Sequence, residues 1–269
     1  MDKIAFIGGG NMASAIIGGL LKAGRPVDSV IVVEPFEAQR DKLRAELQVQ
    51  ALTVADASLA QAALVVWAVK PQLFSAAALP CAAHVARALQ LSVMAGIRSD
   101  AIAQATGSQR VVRAMPNTPA LIGRGVAGLF ARDAVTPAER RHIEQVLAAT
   151  GALLWVAHEA DLDAVTALSG SGPAYVFYFI EAMMQAGQEM GLSAAQGRQL
   201  ALKTFAGSTA LAQASDDPPA LLRERVTSKG GTTFAALAAM EADGVKAAIV
   251  RAVKAAQVRA RELGDEFGA

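Results

Sequence analysis

The chain has 269 residues, 53% hydrophobic and 18% charged, with 25 Lys and Arg against 24 Asp and Glu for a formal net charge of +1. That length fits one large domain or two ordinary ones, and it can bury a core without disulfide or metal staples. Near-neutrality removes the electrostatic case for a nucleic-acid or anionic-membrane binder, the apolar content argues against disorder, and the single cysteine, Cys81, excludes an internal disulfide framework.

The first half alternates strand and helix. Residues 3–7 are a short apolar run that ends in Gly8-Gly9-Gly10. Met12, Ile16, Ile17, Leu20 and Leu21 then recur at helical spacing over 11–22, up to Gly24. A strand is predicted at 30–33, an amphipathic helix at 36–47, a weak strand at 51–54 and a strong one at 64–69. Residues 72–88 read as a helix that Pro80 must kink or split. Strands follow at 91–95, 111–115 and 126–132, then a helix at 137–150 with Thr136 as N-cap and Pro137 at N1, then a strand at 153–156. Short apolar strands between helices predict a mostly parallel sheet covered on both faces, an α/β Rossmann-type domain over 1–157.

After about residue 157 the strands vanish. Helices are predicted at 161–168, 173–190, 194–214, 219–226, 232–242 and 245–263, an all-α domain over 158–269. The 173–190 helix is apolar nearly all round, as a helix buried on all sides would be. In a domain this small a partner subunit is a natural cover; burial by its own domain is the alternative. No apolar run is long enough for a membrane span, and the N-terminal run before Gly8 is too short for a secretory signal. The sequence thus reads as a soluble cytoplasmic protein.

Gly8-Gly9-Gly10-Asn11-Met12-Ala13 matches G-x-G-x-x-A between a strand and a helix, the context a dinucleotide loop requires. Gly8 permits the tight turn, Gly10 lets backbone approach a pyrophosphate, and the N–H groups of the helix start, at Asn11 and Met12, face the phosphates. Glu34 ends the second strand, where a carboxylate would bond a ribose 2′-hydroxyl and repel a 2′-phosphate. Arg40 and Lys42 on the next helix could offset that repulsion. The expected cofactor is NADH or NADPH. Ala68, Val69, Lys70 and Pro71 after the fourth strand, Ala95 and Gly96 after the fifth and Asn117 after the sixth are expected at the same sheet edge.

Two glycine and hydroxyl turns open helices in the second half. Ser169-Gly170-Ser171-Gly172-Pro173 precedes the apolar helix, and Thr227-Ser228-Lys229-Gly230-Gly231-Thr232-Thr233 precedes another. The second suits a substrate carboxylate, with glycine amides, a helix dipole and Lys229 in reach. Capping by Ser171, and by Thr232 or Thr233, is the competing explanation.

Taken together, Ile7 to Ala13, Ala68-Val69-Lys70-Pro71-Gln72, Arg113-Ala114-Met115-Pro116-Asn117-Thr118-Pro119, Leu168 to Tyr175 and Val226 to Thr233 resemble the pyrroline-5-carboxylate reductases, in order and across the chain. The resemblance implies NAD(P)H-dependent reduction of 1-pyrroline-5-carboxylate to L-proline, the last step of proline synthesis. It implies a Rossmann domain followed by a helical dimerisation domain, with dimers assembling into a decamer. It also implies that Gly230 and Gly231 hold the substrate carboxylate and that the Thr233 hydroxyl bonds the ring nitrogen. Many members carry serine, asparagine or arginine for a 2′-phosphate where this chain has Glu34-Pro35-Phe36. That departure bears on NADPH preference and leaves the reaction intact.

Other residues read as structural. Cys81, Trp67 and Trp155 are core candidates, His84 and His142 helix-surface residues, and Lys203 a solvated or interface lysine. The three histidines, His158 included, are too scattered for a zinc pattern with one cysteine, so no metal is expected. Two other functions fit parts of the pattern. A β-hydroxyacid-type dehydrogenase would need a catalytic lysine, and a non-catalytic dinucleotide sensor would leave both glycine and hydroxyl turns without a role.

Overall fold

In the computed structural model, which describes residues 2–267, one sheet organises the first half. Its strands are β1 (Lys3–Ile7), β2 (Val30–Val33), β3 (Ala51–Leu52), β4 (Ala62–Trp67), β5 (Leu89–Ser92), β6 (Val111–Met115), β7 (Gly125–Ala131) and β8 (Gly151–Trp155). They lie in the order β3-β2-β1-β4-β5-β6-β7-β8, parallel throughout except for the antiparallel pair β6 and β7. The chain leaves β1 in one direction toward β2 and β3, then returns to β4 on the other side. The switch point between β1 and β4 is where a doubly wound sheet opens a crevice for a ligand.

The alternation of side chains along each strand fills two cores. Ile4, Phe6, Val32, Leu64 and Val66 face α1 (Asn11–Lys22) and, further along the sheet, the apolar side of a helix at Pro137–Leu147. Ala5, Ile7, Val33, Val65 and Trp67 face the other way, against Phe74, Cys81, Val85 and Ile102. Both faces are covered, so the strands read as continuous apolar runs rather than as alternating ones. Trp67 is fully buried, and its indole N–H donates to Gln90 Oε1 at 2.9 Å.

The remaining helices of this half are α2 (Glu37–Leu47), α3 (Phe74–Ala78), α4 (Ala82–Val85), α5 (Ser99–Thr106), α6 (Pro137–Leu147) and α7 (Asp161–Val165). Pro80 does split the segment after β4, into α3 and α4, with a 3-10 turn at Pro71–Leu73 in front. The sequence pattern does not predict helix α5. It is eight residues long, and the bond that anchors its start comes from Glu159, sixty residues away, which accepts from the Ser99 N–H at 2.6 Å. Trp155 is only half-buried on β8, where its indole N–H donates to Glu144 Oε1 at 2.6 Å and Arg140 covers its ring at 5.0 Å.

By contact density the chain divides into residues 1–171 with 255–269, and residues 172–254. This division follows Ser171, where α7 packs on β7 and a π-turn at Thr166–Gly170 follows it directly. The second unit holds α8 (Gly172–Glu189), α9 (Ala194–Gln213), α10 (Pro219–Arg225), α11 (Thr232–Ala242) and the first part of α12 (Val245–Phe267). The end of α12 counts with the first unit: a Cβ on Gly96 would stand 3.1 Å from the Leu263 carbonyl, and Arg98 pairs with Asp265 at 3.3 Å.

Within the second unit α8 and α9 pack closely where Gly187 and Gly197 meet; a Cβ on Gly187 would stand 3.5 Å from the Gly197 Cα. The chain itself buries little of α8. Phe177 is 58% exposed and Tyr178 72%, and Gly187 is the one buried position of the helix. Burial on all sides is therefore not supplied by the helix's own unit. Among the described residues no helix is long and apolar enough to cross a membrane.

Candidate active site

At the carboxyl end of β1 the glycines have three different jobs. Gly8 has φ +95°, and a Cβ there would stand 2.7 Å from the Ala68 carbonyl oxygen and 3.0 Å from Val69 Cγ1. Only glycine allows β1 and β4 to end side by side in that way. A Cβ on Gly9 would meet Leu43 Cδ1 at 2.6 Å. Gly10 is different. Its φ is an ordinary −66° and a Cβ added there would have nothing within 4 Å. The fold does not require a glycine there, and the space leaves the backbone open to approach.

Gly10 is also the N-cap of α1, with no side-chain cap and no acidic residue in the first turn. The amide end of the helix, including the N–H groups of Asn11 and Met12, is suited to an anion. The Met12 side chain packs on the core, so only its backbone is open at the helix start. Ala13 is fully buried, which seats the helix close to the sheet. This arrangement fits a dinucleotide pyrophosphate.

Glu34 is placed beside this loop and is buried. Its two carboxylate oxygens already have backbone donors: the Gly9 N–H gives to Oε2 at 2.8 Å and the Phe36 N–H to Oε1 at 2.9 Å. The Gly9 carbonyl in turn accepts from Gln39 Nε2 and from Ser14 Oγ. No sequence motif singles out Gln39 or Ser14. Their role depends on one peptide's orientation, for which the sequence carries no signal. Arg40 folds back over the same turn, donating to the carbonyls of Glu34 at 3.1 Å and Pro35 at 2.6 Å.

The other expected positions also lie at the carboxyl ends of parallel strands. Ala68 and Val69 follow β4, with the Ala68 N–H bonded to the Ile7 carbonyl at 2.8 Å. Lys70 is exposed and Pro71 opens the 3-10 turn. Ala95 and Gly96 follow β5, but Gly96, at φ +74°, lies against the end of α12. Its glycine is explained by that packing. Asn117 follows β6, and its Oδ1 accepts from the Val126 N–H at 3.0 Å, which holds the start of β7.

In the second unit the distal turn runs from the end of α10 into α11. Gly230 has φ +75° with open space around it, and the Gly231 N–H closes the turn on the Ser228 carbonyl at 3.0 Å. Gly231, not Thr232 or Thr233, is the N-cap of α11, and no side chain caps the helix. The capping explanation for those threonines does not hold. Ser228, Lys229, Gly230 and Thr232 are exposed and Thr233 is half-buried. Because the Gly231 amide is engaged within the turn, the donors without a side-chain cap belong to the first turn of α11, beside a lysine. Ser171 is not an N-cap either: its backbone is helical, and its N–H bonds the Thr166 carbonyl at 2.8 Å.

A family model described as pyrroline-5-carboxylate reductase dimerisation matches residues 159–263, and one described as NADP oxidoreductase, coenzyme F420-dependent, matches residues 3–96. The pyrroline-5-carboxylate reductase of Pseudomonas aeruginosa is 41% identical over 99% of this chain and 98% of its own. The chain belongs to the pyrroline-5-carboxylate reductase family. The Haemophilus influenzae reductase is 40% identical over 98% of both chains. A solved reductase from Coxiella burnetii superposes with a TM-score of 0.89 at 32% identity, covering 97% of this chain and 98% of that one.

The enzyme is thus an NAD(P)H-dependent oxidoreductase that reduces 1-pyrroline-5-carboxylate to L-proline in proline biosynthesis. Its dimerisation domain makes it a homo-oligomer. The dehydrogenase and sensor alternatives give way to this family membership. Cys81 is a core residue: burial pushes its thiol up to about 11, and Sγ lies 3.1 Å from the Ala77 carbonyl. Lys203 is exposed on α9.

Proposed function

We propose that the distal turn of this reductase is the substrate site. The observation that carries the reading is the N-terminus of α11, which has no side-chain cap and stands next to Lys229 and a left-handed Gly230 in open space. The first-turn amides and Lys229 bind the carboxylate, with Ser228, Gly230, Gly231 and Thr232 shaping the turn around it. Ser171 is also proposed as a substrate-binding residue. Gly8, Gly10, Asn11, Met12, Ala68, Val69, Lys70, Pro71, Ala95 and Asn117 form the cofactor edge, with Gly96 seated behind it.

The chemistry asks little of acids and bases. A reduced nicotinamide, when bound, supplies a hydride. A protonated cyclic imine is already electrophilic at its C=N carbon, so the protein has to orient the ring and keep water away. Thr233 bonds the ring nitrogen as its charge changes, which no histidine, aspartate or cysteine is needed to do. Either NADH or NADPH serves. The reductase works in the cytoplasm, as its single buried cysteine suits, and its dimers assemble into a decamer with the exposed apolar residues of α8 covered by a partner subunit.

Steady-state kinetics with the cyclic imine and each cofactor test the reading. Saturable turnover that is inhibited competitively by small carboxylates resembling proline is expected. Turnover indifferent to the loss of Lys229 and to every such carboxylate would place the substrate elsewhere.

A further inference from the structure

We infer that Glu34 is a positioning residue for the glycine loop and that choice between the two cofactors does not pass through its carboxylate. This rests on the dinucleotide reading of the first unit. An acidic residue at this place would normally be taken as the ribose ligand. Here its geometry is committed inward. The residue is 5% exposed, and one carboxylate bridges two turns: Oε2 takes the Gly9 N–H at 2.8 Å and Oε1 the Phe36 N–H at 2.9 Å.

The Glu34 bond fixes the peptide before Gly9, while Gln39 and Ser14 fix the peptide after it, the one whose N–H belongs to Gly10. Gly9 is held at its N–H by Glu34 and at its carbonyl by Gln39 and Ser14. Because the peptide plane is rigid and trans, a carbonyl directed toward Gln39 and Ser14 sends the next N–H, that of Gly10, the opposite way. Gly10 is the loop residue whose surroundings are open, with nothing within 4 Å of the place a Cβ would take. Glu34 thus helps to aim a donor it does not itself touch, by fixing the first of the two peptide planes that meet at Gly9. Buried and hydrogen-bonded charges are costly to disturb, so its removal loosens the loop for any dinucleotide, with or without a 2′-phosphate.

Glu34→Gln tests this. One end of the amide must present N–H groups to a backbone N–H, so one of the two bonds is lost. Equilibrium titration, followed by nicotinamide fluorescence, should show NADH and NADPH each weakened about tenfold, the two factors agreeing within about threefold. In steady state both cofactor KM values should rise in step while kcat falls much less. The wild type provides a second measurement that needs no variant: NADH and its 2′-deoxyadenosine analogue should bind within about threefold of each other. Weakening confined to NADH, a gain for NADPH, no change for either, or an analogue bound tenfold or more weakly by the wild type overturns the inference. A wild type that binds neither dinucleotide defeats the cofactor reading itself, and this inference with it.

Discussion

The Ala68 carbonyl oxygen stands 2.7 Å from where a Cβ on Gly8 would sit, while a Cβ on Gly10, two residues on, would touch nothing. The two glycines of the loop therefore answer to different constraints, and their alanine variants should separate. Gly8→Ala must accept both the backbone clash and a φ of +95°, and should lose about 2 kcal/mol or more in chemical denaturation. Gly10→Ala should unfold as the wild type does but bind either dinucleotide more than about tenfold more weakly, because its methyl group occupies the approach of the pyrophosphate. Equal stability losses in the two variants would remove Gly10 from the cofactor site.

Thr233 tests the substrate half. It is half-buried in the first turn of α11 and does not cap the helix, so its hydroxyl is not explained by local structure. Thr233→Ala should lower kcat by about tenfold or more, as expected for removal of a hydrogen bond that strengthens in the transition state. Thr233→Ser keeps the oxygen and should retain most of the turnover. Equal kcat in the wild type and the alanine variant would remove Thr233 from the mechanism.

How much of this is legible in the sequence depends on range. The strands of the sheet read as apolar runs because both faces are buried, and the G-x-G-x-x-A loop stands out by its place between a strand and a helix. The distal turn is visible because glycine, lysine and threonine fall together in sequence. What stays hidden is set by distant partners. Helix α5 is short and anchored by Glu159; Gly96 packs against Leu263 at the far end of the chain; Glu34 accepts from the backbone N–H groups of Gly9 and Phe36. No local pattern encodes such bonds.

The exposed apolar side of α8 gives a prediction about assembly. Val176, Phe177, Tyr178 and Met183 are all exposed in the single chain, more apolar surface than one helix of a monomer normally leaves in water. Placing glutamate at Phe177 or Tyr178 would require burying a charge against the partner subunit, which is strongly unfavourable. Each variant should sediment as a smaller species than the wild type at the same concentration, with the circular dichroism of a folded helical protein. Unchanged sedimentation in both would mean that α8 lies outside the subunit contact.

Glu159 sets an acid limit on the first unit. Its Oε1 accepts from the Ser99 N–H at 2.6 Å and from Arg113 Nη1 at 2.7 Å, and its Oε2 from Ser99 Oγ at 2.6 Å. Burial raises the carboxyl, but the bonds from Ser99 and Arg113 together outweigh it, and the net position is below the usual glutamate range. A pKa lowered on folding contributes stability that is fully present above the unfolded value, about 4.3, and is lost as the pH falls through the folded one. Over that interval the unfolded chain binds the extra proton, so stability must climb with pH. Glu159→Gln should cost about 2 kcal/mol or more at pH 7, because it leaves the buried Arg113 guanidinium facing a neutral amide. It should also flatten the decline of unfolding free energy as the pH falls below that unfolded value, since the carboxylate lowered on folding is gone. Denaturant titrations of both proteins across that range give the comparison. Parallel pH profiles would show that Glu159 is not the carboxylate whose protonation weakens the fold.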